Sequence, residues 1–355
     1  MGKISDREKK RMMTIAEEIY GKLLLRLQQG EFPPGSRFPS ESLLADLYGV
    51  DKKTVNRAVS LLAAEGYVAR GVRGAGTRVL RTQSFPKGFL LFISRFSFYH
   101  TRLLKGGQDA AGSRGYAAAV LFRESGEELL QTACLFGPRI RGIVSAGTVS
   151  LMIRQLGLPF VSVDFDDAEA YPDINMVNTD NYRGAYELMR EALRRGHREI
   201  LIYSSGREYV DRQNRLRGFC DAMRQAGIGG PEKRIFYGTR HDVSAAWTAR
   251  EEMKRRYPEP SLICCDADDA AESLIRAAVS RGAPLPAVTS FGNTLLSDRP
   301  VATVEQFPER IGEYACSKLV EFIELGVPPQ AVREKIAPQV VGSEFIPDLT
   351  AGRSG

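Results

Sequence analysis

The chain has 355 residues, of which 43% are hydrophobic and 26% charged, and its net charge is +6 at pH 7. This composition indicates a soluble globular protein, and the length predicts two or three domains. Short apolar runs, an N-terminus without the apolar stretch of a signal peptide, and five cysteines without metal-type spacing argue against a membrane protein or metalloprotein. We therefore expect a reduced, cytoplasmic protein that has no membrane partner, metal or cofactor.

The positive excess is confined to the first quarter of the sequence. Up to Ser84 there are 15 Lys and Arg against 9 Asp and Glu, whereas the remaining residues carry 34 of each. A basic region joined to a neutral remainder predicts a polyanionic partner for the basic region alone.

Residues 14–80 predict three helices followed by a hairpin. Apolar residues recur at helical spacing in the first helix, which ends at the turn formed by Pro33, Pro34 and Gly35. A second helix begins near Ser40, and a third follows Asp51, a favourable N-cap residue. With the glycine-rich hairpin, this order is typical of a winged helix-turn-helix, a fold that binds DNA.

The start of the third helix carries the residues that we expect to contact DNA. From Val55 onward apolar residues recur at i, i+3, i+4 and i+7, which leaves the polar residues of the first turns on the solvent side. Asn56 suits an adenine edge and Arg57 a guanine edge, whereas Lys52 and Lys53 suit phosphates. Including helix-start and hairpin positions, the predicted DNA-binding residues are Ser40, Lys52, Lys53, Thr54, Asn56, Arg57, Arg73, Gly74 and Arg78. An exposed basic cluster taken alone is more often a solvated surface, and that alternative stays open.

Residues 14–80 resemble the GntR-type winged-helix domain. The matching elements are Pro34-Gly35, Phe38-Pro39-Ser40-Glu41, Gly49-Val50, Thr54-Val55, Glu65-Gly66 and Gly74/Gly76-Thr77. Departures from the family pattern fall on contact positions, at Ser42, Asp51-Lys52 and Asn56. The resemblance therefore implies the fold and DNA binding, but it implies no particular operator sequence.

From Gly88 onward short apolar runs alternate with amphipathic helices. Such runs, for example Phe89–Ile93 and Pro159–Val163, are typical of buried parallel strands, so we expect an α/β doubly wound parallel sheet. The length exceeds one sheet and predicts two lobes with a cleft between them. The predicted boundaries are a DNA-binding domain at 1–80, a linker at 81–88, a two-lobed domain at 89–346 and a tail at 347–355.

The region 88–345 resembles the effector domain of LacI/GalR-type repressors, itself similar to periplasmic sugar-binding proteins. The most specific segments are 177–181, 194–200, 215–219, 265–269 and 302–306. Joining the two domain types gives a layout that resembles the arabinose-repressor family. The resemblance implies a homodimer that binds double-stranded operator DNA and a small-molecule effector, expected to be a sugar or a derivative.

By family position, Asp164, Arg215 and Asp268 should bind this effector. A planar carboxylate or guanidinium engages two hydroxyl groups at once, which suits a small polyol. Aromatic residues after the first strand suit stacking on an apolar ligand face. The predicted effector-binding residues are Phe96, Phe98, His100, Asp164, Arg215, Asp268, Asn293 and Gln306.

Structural roles compete with binding roles at other conspicuous residues. Asp180 is expected to cap a helix that begins at Asn181, and His197 is expected to be structural. The acidic clusters around Asp164 and Asp266 lack calcium-loop spacing, which favours solvated or effector-binding carboxylates over a metal site.

These features predict a ligand-responsive, DNA-binding transcriptional regulator, a repressor of carbohydrate-related genes. An activator, or a corepressor-dependent regulator that senses a purine, is an alternative within this class. A small-molecule-binding protein without specific DNA binding is the alternative from another class. Three widely separated histidines and the absence of P-loop, HExxH and GxSxG motifs predict that the protein is not an enzyme.

Overall fold

The computed structural model describes residues 14–71, 76–80, 82, 86–122, 139–147, 153–206, 209–239, 241–294 and 300–350. The chain divides into two compact units, residues 1–87 and 88–355. Within the described ranges, no helix is both long enough and apolar enough to cross a membrane.

The first unit is a three-helix domain with a hairpin. Its elements are α1 (Ile15–Gln28), α2 (Glu41–Tyr48), α3 (Lys52–Ala64), β1 (Val68–Arg70) and β2 (Thr77–Val79), with β1 and β2 antiparallel. Each helix begins at a side-chain N-cap, and the caps are Thr14, Ser40 and Asp51. Gly49, at a φ of 63°, forms the turn between α2 and α3, a conformation that glycine adopts without strain.

One apolar core holds these helices together. Leu23 and Leu27 of α1 pack with Leu44 of α2 and with Val55 and Leu62 of α3, all of them fully buried. The residues expected on the buried face of α3 from their spacing are the ones that the structure buries there.

The second unit contains six described helices and twelve described strands. The helices are α4 (Phe98–Ser113), α5 (Asn181–Arg194), α6 (Val210–Gln225), α7 (Val243–Arg256), α8 (Asp268–Val279) and α9 (Pro308–Leu325). The strands are β3 (Phe89–Ser94), β4 (Ala117–Phe122), β5 (Ile140–Ala146), β6 (Phe160–Val163), β7 (Met176–Thr179), β8 (Ile200–Ser204), β9 (Ile235–Tyr237), β10 (Leu262–Cys265), β11 (Ala287–Thr289), β12 (Thr303–Glu305), β13 (Arg333–Ile336) and β14 (Gln339–Val341).

Two parallel sheets define two lobes. The sheet of the first lobe has the order β13-β7-β6-β5-β3-β4, and the sheet of the second lobe has the order β11-β10-β8-β9. Neighbouring strands are parallel in both sheets. An antiparallel pair, β12 and β14, completes the unit. The predicted α/β fold with two lobes is confirmed.

The chain passes between the lobes three times. It enters the second lobe after β7, returns to the first after β12, and leaves again after β13. Open α/β sheets bind ligands at the carboxyl ends of their strands, so residues there and at the crossovers are the candidates for an effector site.

Two expected structural roles are confirmed. Asp180 caps α5 by accepting a hydrogen bond from the Arg183 amide at 3.1 Å. His197 is buried, and its two ring nitrogens lie 2.9 Å from the Ser261 hydroxyl and from the Pro347 carbonyl oxygen. Both of its ring nitrogens are thus engaged within the protein, which suits a structural histidine.

Candidate DNA-contact surface and effector cleft

The start of α3 presents cations to solvent. Lys52, Lys53 and Arg57 are exposed. Asp51 holds the end of the helix by accepting hydrogen bonds from the Thr54 amide at 2.8 Å and from its hydroxyl at 2.9 Å. Three of the charged residues predicted to contact DNA therefore share the accessible start of α3, whereas the Thr54 hydroxyl also takes part in the cap.

Asn56 is held by two residues that sequence reasoning did not assign to the site. Its Nδ2 donates to Glu41 Oε1 at 2.9 Å, and Arg70 donates to the same carboxylate oxygen at 3.3 Å. Arg70 also donates to the Asn56 carbonyl oxygen at 2.9 Å. No sequence signal identified this cluster, since its members lie on three different elements.

The hairpin brings two arginines together. Arg78, on β2, is exposed and forms an isolated antiparallel bridge with Arg37, a residue that sequence reasoning did not select. Arg73 and Gly74, predicted at the tip of the hairpin, lie outside the described residues. Ser40 is exposed and caps α2 through the Leu43 amide at 3.2 Å.

Asp164 lies at the carboxyl end of β6 and clusters with Tyr99 and with His100, the latter another predicted effector residue. Its backbone is left-handed at a φ of 51°. Tyr99 donates to Oδ1 at 2.8 Å, and His100 Nε2 lies 3.2 Å from Oδ2. Burial raises the pKa of Asp164, but the His100 and Tyr99 interactions outweigh it and hold that pKa below its ordinary value.

Arg215, on α6, connects the second lobe to the crossover after β12. Its guanidinium donates to Asn181 Oδ1 at 2.8 Å, to the Asp266 carbonyl oxygen at 2.9 Å and to Gln306 Oε1 at 3.2 Å. It also lies 4.0 Å from the centre of the Phe291 ring. Its positive charge helps to lower the pKa of Asp164. The structure therefore places His100, Asp164, Arg215 and Gln306 in one neighbourhood.

Asp268 and Asn293 are bonded within a neighbouring network. Asp268 Oδ2 accepts from the Thr294 amide at 2.6 Å, and its Oδ1 accepts from the Ser290 hydroxyl. Asn293 donates to Glu305 Oε2 at 2.6 Å. Both oxygens of Asp268 are thus occupied by side-chain or backbone donors of the second lobe.

Phe96 and Phe98 remain at the surface. Their exposed fractions are 84% and 57%, and the Phe96 ring meets the edge of Phe122 at a centroid distance of 5.6 Å. The structure brings neither ring against the polar cluster around Asp164.

A buried ion cluster in the second lobe was not predicted. Arg212 pairs with Asp266 at 3.2 Å and with Asp269 at 3.0 Å, and all three side chains are buried. Burial raises the pKa of Asp266 to about 6, although Arg212 opposes the shift. The expectation was that these carboxylates are solvated or effector-binding; the solvated alternative was wrong for Asp266 and Asp269, because Arg212 lies on the same face of α6 as Arg215 and pairs with both in the interior. The three-residue spacing of Arg212 and Arg215, which places both on one face of a helix, was the sequence signal that could have identified this cluster.

Two contacts span the lobes beside this cluster. The Arg95 guanidinium of the first lobe lies 5.5 Å from the centre of the Tyr209 ring, and Arg212 lies 5.9 Å from the same ring. Asn214 donates to Asp166 Oδ2 at 2.7 Å, which Lys335 also approaches at 3.2 Å. A cavity of about 400 Å³ adjoins this second contact and has walls from both lobes.

Comparisons with known proteins agree with this architecture. Residues 15–79 match the model for bacterial regulatory proteins of the gntR family, and residues 189–342 match that for a periplasmic binding protein-like domain. The arabinose metabolism transcriptional repressor of Halalkalibacterium halodurans is 25% identical over 288 residues, 74% of each chain. The HTH-type transcriptional repressor PurR of Klebsiella pneumoniae subsp. pneumoniae is 28% identical over 182 residues, 49% of this chain and about half (52%) of that one.

Solved structures show the same fold. The complex of transcriptional regulator CelR with cellobiose has a TM-score of 0.63 at 18% identity, over 86% of this chain and 98% of that one. Transcription regulator CcpA of Lactococcus lactis has a TM-score of 0.62 at 19% identity, over 71% of this chain and 97% of that one.

Proposed function

Because the chain joins a GntR-type helix-turn-helix domain to a periplasmic binding protein-like domain, we propose that it is a ligand-responsive transcriptional repressor. Its affinity for operator DNA changes when a small molecule binds between the two lobes. It acts as a homodimer in the cytoplasm and has no catalytic role. The similarity to a repressor of arabinose metabolism supports this reading.

The observation that carries the DNA-binding half is the exposure of Lys52, Lys53 and Arg57 at the start of α3. In a helix-turn-helix this end of the helix enters the major groove, and a dimer places two such helices about one helical turn of DNA apart. Arg57 is then a reader of guanine edges, and the two lysines bind phosphates. The confinement of the chain's positive excess to this domain supports the same assignment.

The polar cluster formed by His100, Asp164, Arg215 and Gln306 supports the effector half. It combines a strand end and the first turn of α4 in one lobe, a helix of the other lobe and a crossover. A molecule held by such groups contacts both lobes, so its binding energy depends on their relative position. That dependence is what an effector needs to shift a conformational equilibrium. A sugar suits the paired donors and acceptors of this cluster.

Duplex binding tests the DNA half. The wild type should select a motif from a random duplex library, and fluorescence anisotropy should then give its affinity. Arg57→Ala should cost about 1–3 kcal/mol of base discrimination, whereas Lys52→Ala should weaken all duplexes alike and lower the salt slope by about one. No enriched motif, with or without effector, would reject the repressor assignment.

Thermal unfolding with candidate effectors tests the proposal that a small molecule binds between the lobes. Arabinose, other pentoses, sugar phosphates and purine bases should be compared, because a ligand that binds only the folded state raises the melting temperature by mass action. We expect a saturable rise with a sugar, together with a change in duplex affinity. A rise with a purine alone would instead favour a corepressor-dependent regulator.

A further inference from the structure

Glu41, Asn56 and Arg70 form a hydrogen-bonded cluster beside the end of α3 that the proposed function directs at DNA. Glu41 is the first residue of α2, Asn56 lies in the second turn of α3, and Arg70 ends β1. Glu41 Oε1 accepts from Asn56 Nδ2 at 2.9 Å and from Arg70 at 3.3 Å. All three side chains remain partly or fully accessible.

The chemistry of this contact determines the orientation of the Asn56 amide. An ionised carboxylate has only acceptors, so the Asn56 atom that faces Glu41 is the nitrogen. One amide hydrogen is used in this bond. The amide oxygen and the second hydrogen are left, one acceptor and one donor, for a base edge.

This pattern matches one purine and not the other. In the major groove adenine presents a donor at N6 and an acceptor at N7, whereas guanine presents two acceptors, O6 and N7. An amide that offers one donor and one acceptor satisfies adenine. Against guanine, its oxygen faces a second acceptor and repels it.

We propose that Glu41 is a positioning residue, which holds Asn56 in the orientation that selects adenine over guanine in the operator. The inference rests on the proposed function, because it requires that α3 enters the major groove. Arg70 supports the arrangement. Its guanidinium neutralises the Glu41 charge beside a polyanion, and its bond to the Asn56 carbonyl oxygen at 2.9 Å ties the hairpin to α3.

The test measures the adenine-to-guanine preference of the full chain. The wild type first selects a motif from a random duplex library, and Asn56→Ala identifies the base pair whose preference depends on Asn56. Affinities are then measured for duplexes that differ only at that pair. We expect the wild type to prefer adenine about tenfold or more, and Glu41→Ala to reduce this preference to about threefold or less.

Three variants separate positioning from other roles. Glu41→Gln should keep most of the preference, because its amide oxygen still accepts from Asn56. Glu41→Asp should lose the adenine preference, because the shorter side chain no longer reaches Asn56. This variant keeps an acidic residue at the start of α2, so it provides the test if Glu41→Ala does not fold. Asp46→Ala removes an exposed carboxylate from the same helix and should change only the overall affinity.

Two results would overturn the positioning role. One is an unchanged adenine-to-guanine ratio in folded Glu41→Ala and Glu41→Asp. The other is a lost preference at a neighbouring cytosine, which would make Glu41 a direct base reader. A wild type that selects no motif would instead reject the proposed function, and this inference with it.

Discussion

All three nitrogens of the Arg215 guanidinium donate hydrogen bonds to oxygens of the protein itself. Three oxygen partners from α5, from the loop after β10 and from the segment after β12 hold it over the Phe291 ring. Removal of Arg215 would take a donor from the buried Asn181 side chain and the Asp266 carbonyl oxygen, at a cost of about 1–3 kcal/mol for each acceptor left unsatisfied, whereas Gln306 Oε1 would keep its bond from the Thr179 hydroxyl. Arg215 therefore serves the stability of the second unit as well as the effector site that we propose.

Arg215→Ala should consequently have two effects. It should abolish the effector-induced rise in melting temperature, and it should lower the melting temperature without effector. Duplex affinity without effector should stay close to that of the wild type, since the first unit has its own core. Thermal unfolding and anisotropy measure these quantities. Arg224→Ala, at an exposed position later on α6, is the matched control and should change neither. A normal effector response in Arg215→Ala would exclude this arginine from the site.

Asp266 makes the stability of the second unit depend on pH. Burial raises the pKa of Asp266 in the folded state from 3.8 to about 6, and the positive charge of Arg212 opposes this shift. Between these values the folded state binds more protons than the unfolded state, so the contribution of Asp266 to stability falls as pH rises from about 4 to about 6.

The comparison of wild type with Asp266→Asn isolates this effect. The unfolding free energy of the wild type minus that of the variant should fall across this window, by at most about 1.4 kcal/mol per pH unit, and level off above it. Denaturant unfolding at several pH values measures the difference. A difference that rises with pH in this window would contradict the direction of the pKa shift.

At the scale of elements, the contact between α4 and α9 depends on glycines. A Cβ at Gly106 would lie 2.0 Å from the Glu309 carbonyl oxygen, and one at Gly312 would lie 1.9 Å from the Leu103 carbonyl oxygen. The two helices pack backbone against backbone at these positions. Because α9 begins directly after the second crossover, this packing also positions the residues of that crossover.

Gly312→Ala should destabilise the second unit by about 1–3 kcal/mol, since overpacking forces the helices apart. Gly112→Ala is the control on α4. A Cβ there meets nothing within 4 Å, so alanine should be neutral or stabilise by about 0.5–1 kcal/mol through its higher helix propensity. Chemical denaturation measures both. If Gly312→Ala and Gly112→Ala had the same free energy of unfolding, the α4–α9 contact would accommodate a Cβ at position 312, contrary to this prediction.

At the scale of the whole molecule, side chains that bridge the lobes determine how readily the cleft closes. The contact of Arg95 with the Tyr209 ring is one such bridge, and that of Asn214 with Asp166 is another. Effector binding must favour one arrangement of the lobes to alter operator affinity. Contacts that form in only one arrangement of the lobes therefore influence the effector concentration at which operator affinity changes.

Tyr209→Ala should raise the effector concentration for half-maximal release from DNA by about two- to fivefold, the value of a cation–π contact of 0.5–1 kcal/mol. Tyr209→Phe should retain the wild-type value, because the ring is kept. Effector titrations of a duplex-bound complex measure the shift. An unchanged midpoint in the alanine variant would remove Tyr209 from the closure contacts.

Residue patterns along the chain were sufficient to predict the elements of both units. Helix starts at Asp51 and at Asp180 and the buried face of α3 depend on residues within a few positions of each other, so local sequence determined them. The alternation of apolar runs and helices likewise determined a two-lobed parallel α/β unit. The family motifs identified the residues that we propose to contact DNA and effector.

Only the tertiary structure decided which side chains become partners. Asn56 meets Glu41 across 15 residues, Arg215 meets Gln306 across 91, and Arg212 pairs with Asp266 across 54. Hydrogen bonds act over about 3 Å, and their partners depend on how whole elements pack, which no local pattern records. The sequence by itself therefore determined a basic helix-turn-helix joined to a two-lobed α/β unit. The packing of those elements decided that Asn56 donates to Glu41, the contact from which we infer how Asn56 is oriented toward DNA.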